Sequence, residues 1–87
     1  MHYYVVLASM KTIRQSVSDR RRLGVAVRQR RKRLGMSQER FAEKVDCHRN
    51  YIGLVERGEQ NITIDMLGRI ARGLGCSVAD LAGEAQL

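Results

Sequence analysis

Arg49 and Asn50 stand side by side, and each carries a planar polar group shaped for the edge of a base. A guanidinium can pair bidentately with guanine, and a carboxamide with adenine. Upstream, Gln38 brings a second carboxamide, able to reach a phosphate oxygen or to brace a neighbouring helix. His48 precedes the pair and can touch a phosphate or cap a helix. Tyr51 and Leu54 follow it. The Tyr51 hydroxyl suits a phosphate oxygen, and the Leu54 methyls suit the methyl group of thymine. Plainer readings stand beside these: Gln38 as an exposed helix former, His48 as a capping residue. The chemistry on offer is hydrogen bonding to a polyanion. No Ser/His/Asp set, carboxylate pair or phosphate-cradling loop is present, so neither catalysis nor a cofactor is expected.

The charge balance agrees with a polyanionic partner. The chain has 87 residues and a formal net charge of +7, and every phosphate neutralised by a cation releases counterions. Lys11, Arg14, Arg20, Arg21, Arg22, Arg28, Arg30, Arg31, Lys32 and Arg33 crowd the first part, opposed only by Asp19. Alone, such a run is a solvated helix face; beside a base-reading motif it suits phosphate contacts, Arg28 among them. A membrane-surface helix would need large aromatic anchors that this segment lacks. No apolar run is long enough to span a bilayer, and Tyr3 to Ala8 lacks the layout of a signal peptide. Cys47 and Cys76 are the only cysteines. Both fall at small apolar positions, which fits reduced thiols in a cytoplasmic protein. Cys47 beside His48 supplies too few ligands for zinc, so no metal is expected.

The elements that must position these groups are helical. Pro is absent and β-branched runs are few. A first helix is predicted from about Asp19 to Leu34, capped by Ser18 or Asp19 and stopped at Gly35, with Leu23, Val27, Arg31 and Leu34 on one face. Ser37 caps a second helix with Glu39 in its first turn and Phe41, Ala42 and Val45 inward. Asp46 and Cys47 make a turn. A third helix begins at His48 or Arg49, buries Ile52 and Val55, and ends at Gly58. Thr63 caps a fourth, with Ile64, Leu67, Ile70, Ala71 and Leu74 inward. Ser77 and Asp80 open a fifth in a capping-box pattern, with Val78 and Leu81 closing the core. The second and third helices with their tight turn form a helix-turn-helix, whose second helix enters the DNA major groove. Residues 18–83 are therefore read as one all-α, five-helix DNA-binding domain. Residues 84–87 are read as a fraying tail. Residues 1–17 are read as an N-terminal arm or strand, because Tyr3 to Leu7 are β-branched or aromatic.

Arg31 and Glu56 sit on otherwise apolar faces of helices that must pack. An unpaired buried charge is costly, so the two are expected to pair with each other. Gly53 costs a helix about 1 kcal/mol against Ala and is expected to let the helix approach DNA or a partner closely.

These pieces carry a resemblance. Leu23-Gly24, Arg28 with Arg31, Gly35-Met36-Ser37-Gln38, Phe41-Ala42, Ile52, Glu56-Arg57-Gly58 and Leu67 through Ile70-Ala71 to Leu74-Gly75 resemble the Cro/cI-type, or XRE, helix-turn-helix family. The resemblance covers about Leu23 to Leu81. It implies a compact lambda-repressor-like domain that binds double-stranded operator DNA as a homodimer. It also implies that Gln38 contacts the backbone and braces the recognition helix, that Arg49 and Asn50 read bases with Leu54 near the groove, and that Arg31 and Glu56 form an internal pair. The loop from Arg57 to Asn61 would approach phosphates, and the fifth helix would build the dimer interface. His48 to Gly53 with Glu56 to Asn61 is similar to short stand-alone regulators, including restriction–modification controller proteins. The chain departs from the pattern at Asp46, where a glycine is common, and residues 1–17 lie outside it. Two functions stay open: a transcriptional regulator acting on a near-palindromic operator, and an antitoxin-type interaction protein that binds a partner through the N-terminal arm and DNA secondarily.

Overall fold

The computed structural model describes the backbone of residues 2–87 and the side chains of residues 17–87. Its elements are α1 (His2–Arg33), α2 (Gln38–Val45), α3 (Arg49–Glu56), α4 (Ile64–Gly73) and α5 (Val78–Glu84). The five-helix, all-α architecture is the one the sequence pattern predicts. The expected strand over Tyr3 to Leu7 is not formed, because α1 starts at His2. A lone strand would leave its backbone donors and acceptors without a ladder. A helix pairs them within itself, and no proline interrupts the run. At about 1.5 Å per residue, 32 residues span about 48 Å, close to the molecule's longest extent of 49 Å. Ser18 and Asp19 consequently lie inside a helix rather than capping one, and Asp19 pairs with Arg22 one turn on. The partner-binding role expected of the arm concerns side chains outside the described residues.

The caps of the later helices follow their sequence signals. Ser37 Oγ accepts from Arg40 N at 3.0 Å, Thr63 Oγ1 from Met66 N at 3.2 Å and Ser77 Oγ from Asp80 N at 2.9 Å. Asp80 returns the bond by accepting from Ser77 N at 3.2 Å, which completes the capping box. The C-terminal stops share one device. After α1, α3 and α4 the chain reverses through Gly35, Gly58 and Gly75, each with φ near +70°. After α2 the same left-handed position is taken by Asp46 at φ 62°. There Cys47 N donates to Ala42 O at 2.9 Å and Asp46 N to Glu43 O at 3.1 Å, a Schellman closure.

The core forms where α1 packs on α3 and α5, α2 on α3 and α4, and α4 on α5. Leu23 and Val27 from α1 meet Phe41, Val45, Ile52, Val55, Ile70, Leu74 and Leu81. Burying each such side chain fully contributes roughly 1.5–3 kcal/mol. Gly24 lets α1 lie directly on the end of α3: a Cβ there would meet Val55 O at 2.5 Å and Glu56 O at 2.6 Å. Three expected core positions are outside. Leu34 lies beyond the last turn of α1, Val78 is exposed, and Ile64 is 83% exposed at the first residue of α4. Periodicity gives the phase of a helix but not how far along its length a neighbour covers it. The tail does not fray at Gly83: α5 continues to Glu84 and Ala85 is buried at 3% exposure. Glu84 there takes Arg30 Nε at 2.8 Å and Arg30 Nη2 at 2.6 Å, clasping α5 to α1.

Candidate nucleic-acid interface

The site is held from within by a charged network. Arg31 of α1 donates to both oxygens of Glu56 at the end of α3, from Nε at 2.7 Å and from Nη2 at 2.9 Å. The two residues are only 7% and 9% exposed. Arg31 Nη1 also donates to Met36 O at 2.8 Å, just before α2. Gln38, the first residue of α2, donates from Nε2 to Glu56 Oε1 at 3.1 Å. One carboxylate therefore ties together α1, the start of α2 and the end of α3. The hydrogen bonds to Glu56 raise the Arg31 guanidinium above its ordinary value, against the lowering effect of burial. Arginine is charged regardless, so Glu56 always faces a cation.

On the outer side of this network lies a concave cleft lined by Gln38, Arg49, Asn50, Gly53, Leu54 and Arg57. The first turns of α2 and α3 both reach it, so unsatisfied backbone N–H groups lie nearby, as anions favour. Gly53 leaves room inside the cleft: a Cβ on it would stand 3.1 Å from Arg57 Nη1 and 4.0 Å from Gln38 Oε1. Arg49 and Asn50 are exposed at the N-terminus of α3. Arg49 Nη1 donates to Glu39 Oε1 at 2.6 Å, and Arg57 Nε donates to Glu59 Oε2 at 3.1 Å.

Not every predicted residue reaches the cleft. His48 is the N-cap of α3, its Nδ1 accepting from Asn50 N at 3.0 Å. With Nδ1 an acceptor, the neutral ring carries its hydrogen on Nε2, a donor left for an outside group. Tyr51, expected on the outward side with Leu54, is instead half-buried against the core near Cys47. Burial pushes its hydroxyl above the ordinary value, with further raising by Cys47 and opposition from Arg69. Residue 51 follows the cleft-lining Asn50 by one helical step of about 100°, which turns it away from the cleft and against the core. Arg28 is exposed on α1 and does not line the cleft.

Two positioning contacts have no signal in the sequence. Arg69 of α4 donates through Nη2 to Val45 O at 2.6 Å and to Asp46 O at 2.5 Å, holding the turn between α2 and α3. Those carbonyls are the negative end of α2, so the cation is well placed. The other is Glu39, which reaches Arg49 across that turn. Neither pair falls at a helical or strand spacing, so no pattern announces them.

The geometry places two short helices across a tight turn, with polar side chains at the exposed start of the second. The chain belongs to the helix-turn-helix family HTH_3, matched over residues 27–81, and is a DNA-binding transcriptional regulator of that type. It is 42% identical over 59 residues to the control protein C.BamHI of Bacillus amyloliquefaciens, across 67% of this chain and 73% of that one. Its fold is similar to that of the restriction-modification controller protein C.AhdI from Aeromonas hydrophila. That pair has a TM-score of 0.70 and 32% identity, over 72% of this chain and 96% of the other. It is similar also to the clp gene regulator ClgR from Corynebacterium glutamicum, with a TM-score of 0.75 and 32% identity over 78% of this chain and 72% of the other.

Proposed function

We propose that this chain is a sequence-specific regulator that binds a near-palindromic operator as a homodimer in the cytoplasm, in the manner of a restriction–modification controller protein. Each protomer lays α3 in the major groove. Arg49 and Asn50 read base edges, Leu54 meets a thymine methyl, and Gln38, His48 and Arg57 contact phosphates. Arg28 and the other arginines of α1 add attraction to the backbone. The half-sites lie about one helical turn apart, roughly 34–36 Å.

The observation that carries this reading is the cleft itself. A guanidinium and a carboxamide are presented at the start of α3, and the buried Arg31–Glu56–Gln38 network fixes that helix against the start of α2. Groups so fixed lose little freedom on binding. Selection of bound duplexes from a random pool at near-physiological salt tests it. The expected result is an inverted repeat with one-turn spacing. Arg49→Ala and Asn50→Ala should each remove about 1–3 kcal/mol of discrimination at one base pair. Salt-sensitive binding with no enriched sequence would overturn the reading.

A further inference from the structure

Glu39 is the second residue of α2, where the helix dipole favours a carboxylate. It does more than sit there. Its Oε1 lies 2.6 Å from Nη1 of Arg49. The Glu39 and Arg49 side chains are 65% and 58% exposed, and a pair so wet contributes little to folding. The second arginine of the cleft is held in the same way, Arg57 by Glu59 at 3.1 Å. The reading face thus carries two cations, each matched by its own anion, while the chain as a whole has a net charge of +7. The excess lies elsewhere, largely on α1, where Arg20, Arg21, Arg28 and Lys32 gather.

From this juxtaposition we infer that Glu39 is a specificity-determining residue that acts by positioning Arg49. The inference rests on the proposed reading of bases by Arg49. Two effects follow from one carboxylate. It occupies Nη1 and so orders the guanidinium before DNA arrives, leaving the donors of Nε and Nη2 for a guanine edge. It also repels phosphate, so that Arg49 gains little from a duplex that offers it a backbone oxygen and no guanine. The first effect strengthens operator binding and the second weakens binding to every other sequence.

The test compares the full chain with Glu39→Gln, Glu39→Ala, Arg49→Ala and the double variant Glu39→Ala/Arg49→Ala. Each is measured on the selected operator and on a scrambled duplex across a salt series. For Glu39→Gln and Glu39→Ala, removal of the carboxylate frees one cation for phosphate. The logarithmic salt slope on scrambled DNA should steepen by about 0.9 for each bound protomer and so by about 1.8 for the dimer, which amounts to about thirtyfold tighter binding at ~0.15 M relative to 1 M salt. Operator affinity should stay level or fall, so the ratio of operator to scrambled affinity drops by at least that factor. Guanine preference at the base pair read by Arg49 should relax, and in the Arg49→Ala background the loss of Glu39 should relax it no further. Equal tightening on both duplexes would show bare repulsion without positioning and overturn the inference. An unchanged ratio in both Glu39 variants, with discrimination still lost in Arg49→Ala, would overturn the inference alone. A wild-type chain that prefers no sequence would overturn the base-reading proposal, and the role of Glu39 with it.

Discussion

Glu56→Ala should damage the fold more than its single missing carboxylate suggests. The carboxylate accepts three hydrogen bonds, at 2.7 and 2.9 Å from Arg31 and at 3.1 Å from Gln38. Without it, Arg31 keeps only Met36 O, at 2.8 Å, and is 7% exposed. Breaking a buried pair in this way costs about 3–5 kcal/mol, chiefly through the charge left behind. At roughly 0.05–0.15 kcal/mol per residue, a chain of 87 residues has about 4–13 kcal/mol of stability in all. The variant should therefore lose about a quarter or more of its stability, and urea denaturation followed by circular dichroism would read the change in midpoint at constant m-value. A second variant separates stability from positioning. Arg31→Met with Glu56→Leu removes both charges, and such exchanges commonly recover most of the lost stability. It also removes the acceptor that holds Gln38, so the start of α2 is no longer tied to the end of α3. The double variant should fold well and bind operator more weakly. A loss below about 1 kcal/mol for Glu56→Ala would refute the energetic argument, being the size of an exposed pair. A double variant as unstable as Glu56→Ala would refute the account of an orphaned charge.

Other perturbations isolate other parts of the structure. Asp46→Gly should be neutral or stabilise by up to about 1 kcal/mol, read as a raised thermal midpoint, because a residue with a Cβ occupies the left-handed cap at φ 62°; the Asp46 backbone carbonyl, and with it the Arg69 contact, is retained. Gly24→Ala should destabilise by about 1–3 kcal/mol or more, since its Cβ would meet backbone oxygens at 2.5 and 2.6 Å that cannot swing aside; chemical denaturation checks it. The clasp between Glu84 and Arg30 should depend on pH. The hydrogen bond from Arg30, more than the charges around it, holds the Glu84 carboxyl below its ordinary value. A folded value below the unfolded one stabilises above the unfolded value and loses that contribution as pH falls through the folded one. Wild type should exceed Glu84→Gln in urea midpoint at neutral pH, and the gap should close below about pH 4; a gap constant with pH would refute the clasp.

Where the sequence is informative, a local rule fixes the answer. Ser37, Thr63 and Ser77 are short polar residues before apolar periodicity, and each caps the helix it precedes. Arg31 and Glu56 were legible for another reason: a charge on an apolar stripe has few solutions, and mutual pairing satisfies both. The errors arise where the deciding contact lies far along the chain or where a helix ends. Tyr3 to Leu7 have strand propensity, yet a strand requires a partner and propensity does not supply one. Tyr51 has the chemistry for a phosphate, but its side chain packs half-buried against the core. The tail looked free until Ala85 found a buried place and Glu84 met Arg30, 54 residues away in sequence. The functional surface shows the same division. Residue types at the start of α3 announce the capacity to read bases, while the carboxylate that disciplines Arg49 is placed by the turn between two helices. Capacity to bind DNA is therefore written in local chemistry. The selectivity we propose rests on contacts between elements: Arg69 of α4 holds the Asp46 carbonyl, and Glu39 reaches Arg49 across that turn.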